Sequence, residues 1–177
     1  MKPYFLIAIL AVLMACNSSE NKSTDNKDTT STNAVESVNV QPTFTDKQVA
    51  RIYADYIVLK DALVATKQDD AKVAAQTLSE SLSQYAGCEH TALTATKIKN
   101  AKDIAAQRNE FTSLSNDVIA LFKNASIEGG TIYVQRCPMA NKGEGGEWLA
   151  SEKQIRNPYY GDEMMECGAV LEEIKAK

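Results

Sequence analysis

The sequence predicts a mainly α domain: an antiparallel bundle of three to four helices, closed by an irregular C-terminal cap that carries cysteine and methionine, with room for one short strand. Three observations carry this. Apolar residues between Val49 and Phe122 recur at the three-and-four spacing of buried helical stripes. The segments between these stripes are short, which makes consecutive helices antiparallel neighbours. From Glu128 onward, glycine and proline recur too often for any long regular element.

The chain opens MKPYFLIAILAVLMAC. Lys2 is a positive n-region, and Tyr4 to Met14 is an apolar run too short to span a bilayer as a helix. The pattern is that of an export signal, residues 1–15. Leu13-Met14-Ala15-Cys16 resembles a bacterial lipobox, which implies that Cys16 is lipidated and becomes the first mature residue. Residues 16–43 follow as a tether of Ser, Thr, Asn and charge, with too little to bury to offset its ordering entropy. No aspartate follows the Asn17-Ser18 pair, which by resemblance to bacterial sorting rules favours the outer over the inner membrane. The expected location is the periplasm, on a lipid anchor.

Residues 44–177 are one domain's worth of chain. The 177-residue chain has a net charge of −4, and losing Lys2 with the signal makes it one more negative. It has no basic run, so it lacks the electrostatic footprint of a nucleic-acid binder.

Phe44-Thr45-Asp46-Lys47-Gln48-Val49 has a capping-box pattern, with Thr45 as N-cap, Gln48 at N3, and Phe44 and Val49 as a hydrophobic staple. The first stripe is Val49, Ile52, Tyr53, Tyr56, Ile57, Leu63 and Val64. Asp69 and Asp70 can cap a second helix that turns Ala71, Ala74, Ala75, Leu78, Leu82 and Tyr85 inward and ends at Gly87. A short helix around Ala92 to Lys99 precedes a long one from about Lys102 to Ala125, with Ile104, Phe111, Leu114, Val118, Leu121 and Phe122 on one face. The β-branched alternation of Thr131 to Arg136 makes a short strand. A final helical turn or two holds Val170, Leu171 and Ile174.

The cap concentrates sulfur. Cys137 and Met139 sit two apart around Pro138, so both can face one side of an extended segment. Met164 and Cys167 sit three apart, on one face if that stretch is a helical turn. Thiolate and thioether sulfurs are soft ligands that select Cu(I) over hard cations. Two such pairs facing each other would make an all-sulfur pocket. Trp148 could lie against a bound cation or simply anchor the loop.

YVQRCPMA, GGEWLAS and IRNPYYGDEMMECG resemble the signature of the bacterial domain-of-unknown-function family 3347, in which Cys-Pro-Met-Ala precedes Trp-Leu, then Asn-Pro-Tyr-aromatic-Gly, then Met-x-x-Cys-Gly. YIVLKDALVATK and AQRNEFTSLSNDVIAL look like its first and last bundle helices. Family members occur as exported lipoproteins and fused to adaptor (membrane-fusion) subunits of copper and silver efflux pumps. The resemblance therefore implies a soft heavy metal, Cu(I) or Ag(I), and an efflux complex as partner. It implies no enzyme. Matched to the motif, Cys137, Met139, Met164 and Cys167 are the expected ligands, Met165 is the better candidate for packing, and Trp148, Asn157 and Tyr159 support the site.

A disulfide competes for the same pair. An exported protein sits in an oxidising compartment, and with Cys16 lipidated three cysteines remain. A Cys137–Cys167 bridge would staple the least regular region and leave Cys88 free, giving an interaction domain with no metal role. Cys88 and His90, in GCEH, are secondary metal candidates; a lone histidine near a helix end is more often a solvated cap. Glu144, Glu147, Asp162, Glu163 and Glu166 read as a solvated rim. There is no haem-attachment motif and no phosphate loop.

Overall fold

The computed structural model describes residues 41–176. The signal segment, Cys16 and most of the tether lie outside them. Four helices come first: α1 Lys47–Val64, α2 Gln68–Ser83, α3 Glu89–Asn100 and α4 Ile104–Lys123. Each packs on the next, as their short connections require. None of the described helices is long and apolar enough to cross a membrane.

The helical stripes hold, with shifted ends. The N-cap of α1 is Asp46, not Thr45: its carboxylate accepts the Gln48 N–H at 2.7 Å. Thr45 is displaced because Thr43–Phe44 form a two-residue strand, β1, paired antiparallel with β2 (Ile127–Gly129). Phe44 then packs between Tyr53 and Phe122, at ring-centroid distances of 5.4 and 5.5 Å. Asp69 and Asp70 lie in the first turn of α2 without capping it, where their charge still favours the helix N-terminus. That helix ends at Ser83, short of Gly87, which serves the following turn with φ 86°. The capping aspartate of α4 is Asp103, accepting from the Ala106 N–H at 2.8 Å.

The C-terminal part departs furthest from expectation. It is a three-stranded antiparallel sheet in the order β4-β3-β5, with β3 Thr131–Cys137, β4 Gly146–Ala150 and β5 Ala169–Lys175. The expected last helix is thus a strand, and the cap holds more strand than one short element. Five of the seven residues of Ala-Val-Leu-Glu-Glu-Ile-Lys, all but Val170 and Ile174, are good helix formers. What overrides that propensity is the open edge of β3, where Ile174 pairs with Ile132 and Val170 with Gln135. A bulge between Val134 and Gln135 leaves Leu171 unpaired and 55% exposed.

Two devices join sheet to bundle. The Tyr56 hydroxyl lies 2.6 Å from the Ser115 hydroxyl and accepts the Leu149 N–H at 3.1 Å, tying α1, α4 and β4 together. An aromatic run then leads from Tyr56 through Phe111 and Tyr159 to Trp148, with successive centroids 5.7, 5.7 and 6.1 Å apart. Tyr56, Phe111 and Trp148 are fully buried, each stabilising the fold by roughly 1.5–3 kcal/mol or more.

Candidate functional site

Period-two alternation and strand register put Gln135, Cys137, Gly146 and Trp148 on one face of the sheet. Residues 151–168 cover that face. The Gln135 amide donates to the carbonyls of Glu152, Lys153 and Gln154, at 2.8 to 3.3 Å. Tyr159 lies against Gly146, where an added Cβ would come within 2.5 Å of the phenol ring. Glycine at this position is therefore what admits the ring.

Two turns bring the cysteines together. At the end of β3, Cys137-Pro138-Met139-Ala140 closes with the Ala140 N–H on the Cys137 carbonyl at 3.4 Å. Before β5, Met164 to Cys167 closes with the Cys167 N–H on the Met164 carbonyl at 3.1 Å. The Cys137 and Cys167 sulfurs then stand 2.9 Å apart. Cys137 is fully buried and Cys167 partly exposed. The Cys167 thiol is pushed above its ordinary pKa, first by its hydrogen bond with Cys137 and then by burial; a Met139 backbone N–H on the same sulfur acts in the opposite sense.

Asn157 holds the second turn in place. It is fully buried. Its side-chain N–H donates to the Cys167 carbonyl at 3.0 Å, and its side-chain oxygen accepts the Tyr159 N–H at 2.8 Å. Its backbone N–H reaches the Met165 carbonyl at 2.9 Å, and its carbonyl accepts the Gly161 N–H at 2.9 Å. Pro158 is gripped from the bundle: Arg108 on α4 donates to the Pro158 carbonyl and to the Leu63 carbonyl, each at 2.9 Å. Tyr159 donates to the Glu147 carbonyl at 2.9 Å, and Tyr160 to the Met139 carbonyl at 2.7 Å. Burial drives the Tyr159 phenol far above its ordinary pKa, so it acts only as a donor and packing group.

The structure thus unites Cys137 and Cys167, with Trp148, Asn157 and Tyr159 buried around them. The methionines are placed less closely. Met139 is 54% exposed, and Met164 and Met165 are half-buried, entering the region through their carbonyls. Cys88 and His90 stand apart from the pair. Cys88 is buried as the N-cap of α3, its thiol pKa raised by burial and by Glu89 and Asp117, while His90 is exposed. Among the described residues no cluster of three or more His, Cys, Asp or Glu side chains is placed to hold an ion. Of the acidic rim, Glu147 is engaged, pairing with Arg136 at 3.1 Å; the others are exposed.

As donors, two thiols in contact suit a soft ion. With metal–thiolate bonds of about 2.3 Å, sulfurs 2.9 Å apart would subtend only about 78° at the ion. A near-tetrahedral angle needs them about 3.8 Å apart at that bond length. The Cys167 turn would have to shift outward by roughly an ångström, whereas a covalent S–S bond of about 2.05 Å needs a similar shift inward.

Two supporting residues carried a sequence signal that the apolar stripes obscured. Arg108 lies on the α4 stripe between Ile104 and Phe111, and Lys60 on the α1 stripe between Tyr56 and Leu63. Lys60 is 1% exposed and reaches Asp61 at 2.7 Å and Glu152 at 3.1 Å, pinning the covering loop. A charge on a buried stripe is the mark of a paired, structural ion.

Residues 52–130 match the model of a family described as "Protein of unknown function (DUF3347)". That span runs from α1 through β2 and confirms the resemblance in the bundle helices. The sulfur-bearing sheet lies beyond it. No curated protein and no solved structure matches the chain significantly.

Proposed function

With residues 52–130 a domain of the DUF3347 family, we propose that this protein is an envelope-anchored lipoprotein whose Cys137–Cys167 dithiol takes Cu(I) or Ag(I) as cargo. It sequesters the ion or delivers it to an efflux system, a role that needs no enzymatic turnover. The observation that supports this is the meeting of two thiols, 2.9 Å apart, on two separate turns at one end of a sheet. Soft thiolates prefer these ions, and both turns carry methionines, Met139 and Met164, that could complete the coordination. In the anchored form Cys16 bears the lipid, and the polar segment after it links the lipid to the domain.

A second reading rests on the burial of Cys137 and on the same short distance. Oxidised, the pair is a staple across the sheet, and the domain is a periplasmic interaction module with no metal role. Elemental analysis separates the two. Protein purified anaerobically from cells grown with added copper or silver should carry the metal near stoichiometrically, and a Cys137→Ser, Cys167→Ser double variant should not. Metal-free wild type with an intact disulfide would favour the second reading.

A further inference from the structure

The two sulfurs are unequal in a way that neither reading uses. Cys137 ends a central strand and is 0% exposed, and the loop that carries Tyr159 lies against Gly146, its cross-strand partner. Cys167 lies on a turn outside any strand and is partly exposed. A third sulfur can approach Cys167 from solvent but cannot reach Cys137. We propose that Cys167 is the site at which this protein forms mixed disulfides with external thiols and disulfides, and that Cys137 is the buried thiol that resolves them.

The exchange balances without metal. The external oxidant is a disulfide, R–S–S–R. The Cys167 thiol loses its proton, and the thiolate attacks one sulfur of R–S–S–R. A Cys167–S–S–R bond forms and RS⁻ leaves. Cys137, 2.9 Å away, gives up its proton to the released RS⁻, directly or through water. Its thiolate then attacks the Cys167 sulfur, forms the Cys137–Cys167 bond and expels the second RS⁻, which takes up the proton first lost by Cys167. The protein has lost two electrons and two protons, and R–S–S–R has become two RSH. Reduction retraces the same mixed disulfide, with an external thiolate attacking the Cys167 sulfur and Cys137 leaving, because exchange proceeds by thiolate attack on an accessible sulfur.

Local contacts suit this polarity. Asn157 holds the Cys167 carbonyl at 3.0 Å, so the turn keeps its place while the sulfur changes partners. Cys88 is buried at the N-cap of α3, in the helical bundle, and takes no part.

The inference concerns the same pair as the proposed cargo site but needs no metal, so its test is run with a chelator present. Reduced full-length protein is exposed to oxidised glutathione, quenched in acid and mapped by peptide mass spectrometry. Wild type should close the Cys137–Cys167 bond with little lasting adduct. Cys137→Ser should accumulate glutathione on Cys167, while Cys167→Ser should modify Cys137 at least tenfold more slowly. Because a serine at the buried position could unfold the domain, the order of alkylation in reduced wild type is read in parallel, and Cys167 should react before Cys137. Equal reactivity of the two thiols, or a stable adduct on wild-type Cys167 that never resolves, would overturn the proposal.

Discussion

Replacing Asn157 by leucine tests how the second turn is held. Leucine has a similar shape but neither donates nor accepts, so the Cys167 carbonyl and the Tyr159 N–H both lose their partner. Asn157 is 0% exposed, and water cannot substitute without opening the loop. Each orphaned group costs about 1–3 kcal/mol, so the variant should lose about 2–6 kcal/mol. The lower end applies if the turn loosens enough to admit water. The assay is urea unfolding of the reduced protein, read as a lower midpoint at unchanged slope. A second variant sharpens the reasoning: Asn157→Asp keeps an acceptor for Tyr159 but sets a carboxylate against the Cys167 carbonyl, which should free that turn and expose Cys137 to alkylation. A loss of under about 1 kcal/mol for leucine, with Cys137 still protected in the aspartate variant, would show that Asn157 does not hold the turn.

Other expectations follow from the same geometry. Oxidation of the pair closes a loop spanning 30 residues, and the chain-entropy relation gives about 3–4 kcal/mol. Reduction should lower the urea midpoint accordingly, and an unchanged midpoint would mean that the bridge does not form. Leucine at both Met139 and Met164 should cost little stability, under about 1.5 kcal/mol each, since Met139 is 54% exposed. If their thioethers bind cargo, Cu(I) affinity should fall at least tenfold; an unchanged affinity makes them bystanders. Burial pushes the Tyr53 phenol up to about 12 and drives Tyr56 and Tyr159 higher still. Below about pH 10 all three are neutral folded or unfolded, so they leave stability unchanged. As pH rises above about 10 the unfolded chain ionises first, and stability should fall by about 1.4 kcal/mol per pH unit for each of the three. Phenolate absorbance should therefore rise for these residues only as circular dichroism is lost. Ionisation of Tyr53, Tyr56 and Tyr159 near pH 10 in a folded protein would contradict their burial.

The bundle was legible because its signal is periodic. Ile52, Tyr56, Leu63, Phe111, Val118 and Phe122 repeat at helical spacing and are all buried. Helix ends were less legible, since a two-residue strand moved the first cap from Thr45 to Asp46, and such pairing is not local in sequence. The sheet was hidden for two separate reasons. Gly146 to Ala150 opens on a glycine and is short, and Ala169 to Lys175 has helical composition. Only the edge of β3, with its bulge at Val134 and Gln135, makes a strand of the latter. The meeting of Cys137 and Cys167 was anticipated from residue chemistry and family resemblance. The scaffold that achieves it depends on Arg108, Gln135 and Lys60, whose partners lie 45 to 92 residues from them in some cases and leave no mark in local pattern beyond a polar group on an apolar stripe.

The most direct test of the account is a Cu(I) competition titration of the reduced full-length protein in detergent, against a chromophoric Cu(I) chelator under anaerobic conditions. Trp148, the one tryptophan, lies with its ring beside Gly168, where an added Cβ would meet it at 3.1 Å, next in sequence to Cys167; its fluorescence supplies an independent signal. Wild type should withdraw one Cu(I) per chain from the chelator with a matching change in fluorescence, and the Cys137→Ser, Cys167→Ser double variant should withdraw none. Failure of the reduced wild type to compete, or equal uptake by the double variant, would contradict a dithiol cargo site.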